Sequence, residues 1–259
     1  MPRTTARWKN RSLVAGLAML ALVAAAPSAH EQTPTGAEIV ARHVKAIGGA
    51  EAYKKIQSVK IEGRFEIVAQ NLGGTMTVFQ ARPNRMLVRV EIPGVGSIMR
   101  GYDGKHGWSI DPLAGASLQT GRELTETQDE AWFDGPLYEA GQVKSYGPVT
   151  KLDFDGRPAY QVKITLQSGT ESTDYFDAEH GYQIGSESSR ATQVGTLPTV
   201  SIQRNYKPFG AIQMPTLLLQ KAMGIEQRIT IDTIEFDKVT AADLEPPAEI
   251  KALIKGLDR

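Results

Sequence analysis

The chain has 259 residues, no cysteine, and 29 basic against 29 acidic side chains, which is length enough for one or two domains with a real core. Without cysteine there is no disulfide framework, thiolate metal site, cysteine nucleophile or lipidated cysteine anchor. The balanced charge argues against an extended basic surface for nucleic acid.

The first residues read as an export signal. Arg3, Arg7, Lys9 and Arg11 give a basic start with no acidic residue, Leu13 to Ala26 form an uninterrupted apolar run, and Pro27-Ser-Ala-His30 follows. Basic start, short apolar run and small-residue exit describe a secretory signal peptide over residues 1–29. The alternative is an uncleaved anchor, for which the run is short. Residues 30–259 are expected to form one domain. Removing the signal leaves 25 basic against 29 acidic residues, a net charge of −4. A mildly acidic, cysteine-free exported chain fits a periplasm.

Thr35-Gly-Ala-Glu38 has the capping-box form, and Ile39, Val40, His43, Val44 and Ile47 recur at helical spacing before Gly48-Gly49. A second short helix is predicted over 51–56. From Ser58 the period becomes two: Val59, Ile61, Gly63, Phe65 and Ile67 alternate with Lys60, Glu62, Arg64 and Glu66. Met76 and Val78 continue in the next strand, and Met86, Val88, Val90 and Ile92 in a third. Further strands are predicted near 98–102, 107–110, 149–154, 160–166, 173–176, 182–188, 200–206, 212–219 and 227–236. Turn signals such as Arg82-Pro-Asn84, Asp103-Gly104 and Asp155-Gly156 separate them. The stretch 122–133, rich in Glu, Gln and Asp, breaks the alternation and reads as a helix, and 248–257 reads as a short amphipathic tail helix.

About ten strands with one helix in front and one midway make a mainly β (α+β) protein. The predicted fold is a single curved antiparallel sheet, an incomplete β-barrel, with a helical lid over an apolar cavity. A fully filled core is the other outcome compatible with the pattern.

Several segments resemble the LolA-like family of periplasmic outer-membrane lipoprotein-sorting proteins in a divergent form. Ile47-Gly-Gly-Ala50 with Val59-Lys-Ile-Glu-Gly63 resembles its helix-to-first-strand junction, and Tyr102-Asp-Gly-Lys-His-Gly-Trp108 its DGxxxW hairpin. Asp155 to Lys163, Asp174-Tyr-Phe-Asp177 and Gly181-Tyr-Gln-Ile184 resemble its paired late strands, and Asn205 to Gly210 with Met214-Pro215 a following element. The resemblance implies a half-open barrel with a helical lid that receives acyl chains. It further implies acyl-lipid or lipoprotein cargo, transient membrane-protein donors or acceptors, and a monomer without cofactor or nucleic acid.

Catalytic and metal signatures are missing from the sequence. The four histidines (His30, His43, His106, His180) have no ligand spacing, and no His-Glu-x-x-His or Gly-x-Ser-x-Gly occurs. His43 reads as a packing histidine, His106 and His180 as solvated turn residues. Gly101-x-x-Gly104-x-x-Gly107 reads as a hairpin, and Asp174 with Asp177 as a solvated strand edge.

The candidate ligand surface is therefore apolar. Phe65, Ile67, Met76, Val78, Met86, Val88, Val90 and Trp108 are assigned to the inward set of the early strands, with Val40, Val44 and Ile47 on the helix above. Burying four to six methylenes there gives about 3–5 kcal/mol at roughly 0.8 kcal/mol each. The leading function is a lipid or lipoprotein carrier, with outer-membrane lipoprotein sorting as one role for it. The alternatives are a non-enzymatic interaction or sensory module of the same fold that binds a membrane-protein partner, and an enzyme with polar groups converging in a cleft.

Overall fold

The computed structural model describes residues 33–192 and 195–257; the export signal expected over residues 1–29 lies outside them. Helix α1 (Gly36–Ala46) starts on the expected capping box: Thr35 Oγ1 accepts from the Glu38 amide at 3.3 Å, and Glu38 Oε2 accepts from the Thr35 amide at 2.8 Å. It stops where Gly48 and Gly49 take φ of 114° and 87°, conformations that glycine alone adopts readily. Helix α2 (Ala50–Lys55) follows, and helices α3 (Gly121–Ala131) and α4 (Ala248–Leu257) lie where the sequence pattern puts them.

Among the described residues thirteen strands form one antiparallel sheet. The first run is β1 (Ser58–Ile67), β2 (Leu72–Ala81), β3 (Arg85–Ile92), β4 (Gly96–Tyr102), β5 (Gly107–Asp111) and β6 (Gly115–Leu118). After α3 come β7 (Val143–Phe154), β8 (Arg157–Leu166), β9 (Glu171–Asp177), β10 (Gln183–Thr192), β11 (Gly195–Phe209), β12 (Ile212–Ala222) and β13 (Ile225–Phe236). Each run is a meander, and pairing of β1 with β13 fuses them, giving the order β6 to β1 and then β13 down to β7. β6, only four residues long, is a strand the alternation does not reveal.

The sheet is curled but not closed. Glu130 of α3 forms ion pairs with Arg100 on β4 and with Arg190 on β10, strands seven places apart in the sheet. At about 4.8 Å per strand a flat sheet would separate them by roughly 34 Å, so one carboxylate reaches both because the sheet wraps around α3. Directly paired residues share a face. The chain of partners Arg100–Val88–Val78–Ile61 on one side, and Phe65–Ile229–Leu218–Gln203 on the other, therefore defines the concave face.

One expectation is overturned here. Asp174 and Asp177 are buried, because β9 is an interior strand between β8 and β10, not an edge. The Asp174 carboxylate accepts from the Tyr138 hydroxyl at 2.7 Å. Asp177 Oδ1 accepts from the amides of Glu179 (2.9 Å) and His180 (2.7 Å), closing the β9–β10 turn. Gly101 is a hairpin residue as expected, and its lack of a side chain is required: a Cβ there would sit 2.4 Å from the Trp108 ring.

Candidate functional site

Beyond the end of β1 and β13 where Ala52 and Tyr53 of α2 and Phe133 pack on Ile61, Ile234 and Phe236, the concave face divides into three parts by what covers it. Over β7–β9, Ile39, Val40 and Val44 of α1 pack on Val143, Val162, Ile164 and Phe176, a cluster whose central members are fully buried. His43 belongs to this contact as a packing histidine. Its ring meets Phe176 and Tyr138 edge-on, and Nδ1 accepts from the Gln183 amide at 3.1 Å. Burial pushes the His43 pKa down to about 4, and burial pushes Asp174 up to about 6 against the opposing Tyr138 hydrogen bond.

Over β3–β5 the cover is α3. Ala131 and Leu124 meet Met86, Val88 and Tyr102, but the helix is otherwise polar and is held by side-chain bonds. Gln80 Nε2 donates to the Ala131 carbonyl at 3.2 Å and Gln128 Nε2 to the Tyr102 hydroxyl at 3.0 Å. Asp129 Oδ2 accepts from Ser168 (2.7 Å) and Thr170 (2.6 Å) in the β8–β9 turn. Glu126 accepts from the Ala191 amide at 2.7 Å, and Arg122 donates to the Ser189 carbonyl at 2.9 Å. Burial alone would raise the Glu130 pKa; Arg100 and Arg190 more than offset it and hold the carboxyl below its usual range. The helix is thus a strap tied to both halves of the sheet.

Between these two regions lies the third part. Phe65, Met76 and Ile92 are buried, and Ile67, Leu72, Val78, Val90 and Ile229 are packed against them yet only partly buried. Every member comes from β1, β2, β3 or β13 or their ends, with no helical residue in the cluster. Leu218 of β12, paired with Ile229, extends the strip, and Ile98 of β4, paired with Val90, ends it on the other side. Further round, β10 and β11 turn polar on the same face with Ser186, Ser188, Arg190, Ser201 and Gln203. A polar cleft of about 840 Å³ opens there, lined by Arg122, Thr125, Ser172, Ser188 and Thr199 among others.

The predicted apolar set is distributed accordingly. Phe65, Ile67, Met76, Val78 and Val90 come together on the strip. Met86 and Val88 adjoin it under α3. Val40 and Val44 are core beneath α1, and Ile47 is buried at the end of that helix with its carbonyl accepting from the Gln213 amide at 3.0 Å. Trp108 is not inward. It pairs with Gly101 and lies on the convex face against Leu87, Met99 and Ile250 of α4. The cause is register: Gly107 opposes Tyr102, so the next residue falls on the other face. Ile229, Leu218 and the Glu130–Arg100–Arg190 bridge were missed. The alternation Ile225, Gln227, Ile229, Ile231 was a usable signal for β13, but its pairing with β1 joins residues 160 or more apart and has no local signature.

Among the described residues no cluster of three or more His, Asp or Glu side chains could hold a metal ion, and no helix is long and apolar enough to cross a membrane.

No protein-family profile matches the sequence, and no curated protein matches it. Solved structures do. A LolA superfamily protein from Nitrosomonas europaea aligns at 12% identity over 82% of this chain and 98% of its own, with a TM-score of 0.54. A DUF1329 family protein from Desulfovibrio piger aligns at 11% identity over 82% and 98%, with a TM-score of 0.57. A domain assigned to outer-membrane lipoprotein sorting from Vibrio parahaemolyticus aligns at 11% identity over 83% and 99%, with a TM-score of 0.50. At such identities the likeness establishes the architecture.

Proposed function

Starting from the LolA-like fold that this chain has, we propose that it is a periplasmic carrier that holds acyl chains of a lipid or lipoprotein on the concave strip formed by β1, β2, β3 and β13. The observation that carries this is the partial burial of Ile67, Val78, Val90 and Ile229 in a cluster without a helical member. Leaving such a strip against water forfeits roughly 25 cal/mol per Å² of apolar surface, and an acyl chain recovers it. From Leu72 to Val78 the strip runs about 20 Å along β2. Ten methylenes buried along it would supply about 8 kcal/mol, a dissociation constant near the micromolar range.

Phe65, Ile67, Met76, Val78 and Val90 form the contact, Met86 and Val88 continue it under α3, and Met76 adapts to an irregular chain because its thioether side chain is flexible. The α3 strap, tied by charge on both sides, is the element that lifts to admit cargo. Residues 1–29 act as the export signal. Transient membrane-protein donors or acceptors would exchange the cargo, and no catalytic step is required.

Native mass spectrometry with lipid extraction, on protein recovered from the periplasm of cells expressing the full chain, tests this. Co-purified acyl lipid that is lost in a folded Val90→Glu variant is the expected result. A reproducibly empty protein that also ignores fluorescent fatty acids contradicts it.

A further inference from the structure

The exposed apolar side chains of the described residues are not scattered. Of the nine large ones, six lie at one end of the sheet: Val68, Val95, Ile98, Leu113, Met223 and Ile225. That end carries the turns after β1, β3, β5 and β12, which are four successive hairpin tips in the strand order. Their sequences are Val68-Ala-Gln-Asn71, Pro93-Gly-Val-Gly96, Pro112-Leu-Ala-Gly115 and Ala222-Met-Gly-Ile225, sixteen residues without a charge. The turns at the opposite end carry Arg82, Asp103, Lys105, Asp155, Glu179 and Asp237. Leu113 is 97% exposed and Met223 73% exposed. Residues so placed are knobs, not the fringe of a core.

We infer that this row of hairpin tips docks the protein on the surface of a zwitterionic phospholipid bilayer. Three features choose the occupant. The tips satisfy their own backbone: Val95 donates to the Ile92 carbonyl at 3.0 Å, Asn71 to Val68 at 3.3 Å, and the Leu113 and Ala114 amides to Asp111 Oδ1 at 2.8 and 2.9 Å. They can therefore enter an apolar layer without stranding amide donors. Behind them Lys221 faces Glu226 and Arg228 faces Glu66 at 3.5 Å each, and Arg89 lies next to Glu91, which leaves the Asp111 carboxylate that caps the Leu113 tip as the charge in excess. The edge so presents no net basic patch, which matches a neutral lipid surface and not an anionic one. Successive tips stand about 10 Å apart, two strand spacings. A lipid surface yields to each separately, whereas a second copy of the chain would gain little contiguous area. The concave strip reaches the same edge through Ile67, Leu72, Ile92 and Ile98, so a docked barrel would have its apolar face open towards the bilayer. Docking itself is independent of the carrier proposal, since it needs no cargo.

The test is co-sedimentation of protein from cells expressing the full chain with phosphatidylcholine–phosphatidylethanolamine vesicles. Wild-type protein is expected to partition onto them. The Leu113→Asp/Met223→Asp double variant should lose at least about tenfold in partition coefficient with an unchanged melting temperature, because both side chains are solvent-exposed in the free protein. Leu257→Asp, at an exposed apolar position on α4, should bind as wild type does. Adding anionic lipid or raising salt should leave binding unaltered. Wild-type protein that stays in the supernatant overturns the inference. So does binding that requires anionic lipid, or tips that mediate a concentration-dependent dimer and no vesicle association. Empty vesicles report docking alone, so failure here leaves the carrier proposal standing, and failure to co-purify lipid leaves docking standing.

Discussion

Two helices lie on the concave face of the same sheet and are held there by different forces. Helix α1 sets Ile39 and Val40 flush against Val162, Ile164 and Phe176, all five of them buried, with Val44 partly buried at the margin of the contact. Helix α3 offers Leu124 and Ala131 as its apolar contacts and is otherwise suspended by Glu126, Gln128, Asp129 and Glu130. Apolar burial is strong and indifferent to orientation, while polar tethers are individually weak and can be exchanged for water. The first helix is core. The second is a strap beside an apolar strip that no helix covers.

Breaking each region should therefore cost different amounts. Phe176→Ala, in the sealed region, is expected to lose about 3–5 kcal/mol in denaturant unfolding. Val90→Ala, on the open strip, should lose about 1 kcal/mol or less, while weakening fatty-acid binding severalfold. Equal losses at both sites would erase the distinction.

Acid sharpens the same contrast. His43, with a pKa of about 4 against an ordinary 6.5, refuses in the folded state a proton that the unfolded chain accepts. Its contribution therefore falls as pH drops from 6.5 to 4. Asp174, with a pKa of about 6 against 3.8, keeps when folded a proton that the unfolded chain releases. Its contribution rises as pH drops from 6 to 4. The two are on the order of 3 kcal/mol each and nearly cancel. Relative to wild type, His43→Gln should gain stability on acidification from pH 6.5 to 4 and Asp174→Asn should lose it, measured as melting temperature against pH. Parallel profiles for the two variants would contradict these assignments.

The smallest stability effect belongs to the strap. Glu130→Gln removes a carboxylate that is about one-third exposed, so the loss should be about 1 kcal/mol at most. Amide exchange over 121–131 should nevertheless accelerate, with that of α1 unchanged. Because the Glu130 pKa is held down in the folded state, acidification through the usual carboxylate range should loosen wild-type α3 in the same way.

How much of this was legible in the sequence follows from how local each feature is. The start of α1 is written in four residues, Thr35 to Glu38, and its stop in two glycines. The tail helix and α3 show as breaks in a period-two pattern. The strip on β1 to β3 follows from alternation, since Phe65, Ile67, Met76, Val78 and Val90 share a face once adjacent strands pair. Trp108 was misplaced because its face depends on the register across the 103–106 turn, where a one-residue difference reverses every side chain. Asp174 and Asp177 looked like an edge because nothing local says that β8 and β10 flank them. The Arg100–Glu130–Arg190 bridge depends on curvature of the whole sheet, which becomes definite only when β13 returns to β1.

Photo-crosslinking with a diazirine fatty acid, mapped by peptide mass spectrometry, tests the central claim most directly. Adducts confined to the strip, on the peptides bearing Phe65, Met76, Val78, Val90 and Ile229, with the Ile39–Phe176 region unlabelled, are what a carrier with one open apolar face should give. Labelling of the α1 contact or of the convex face under α4, or no saturable labelling at all, would show that the strip does not hold acyl chains.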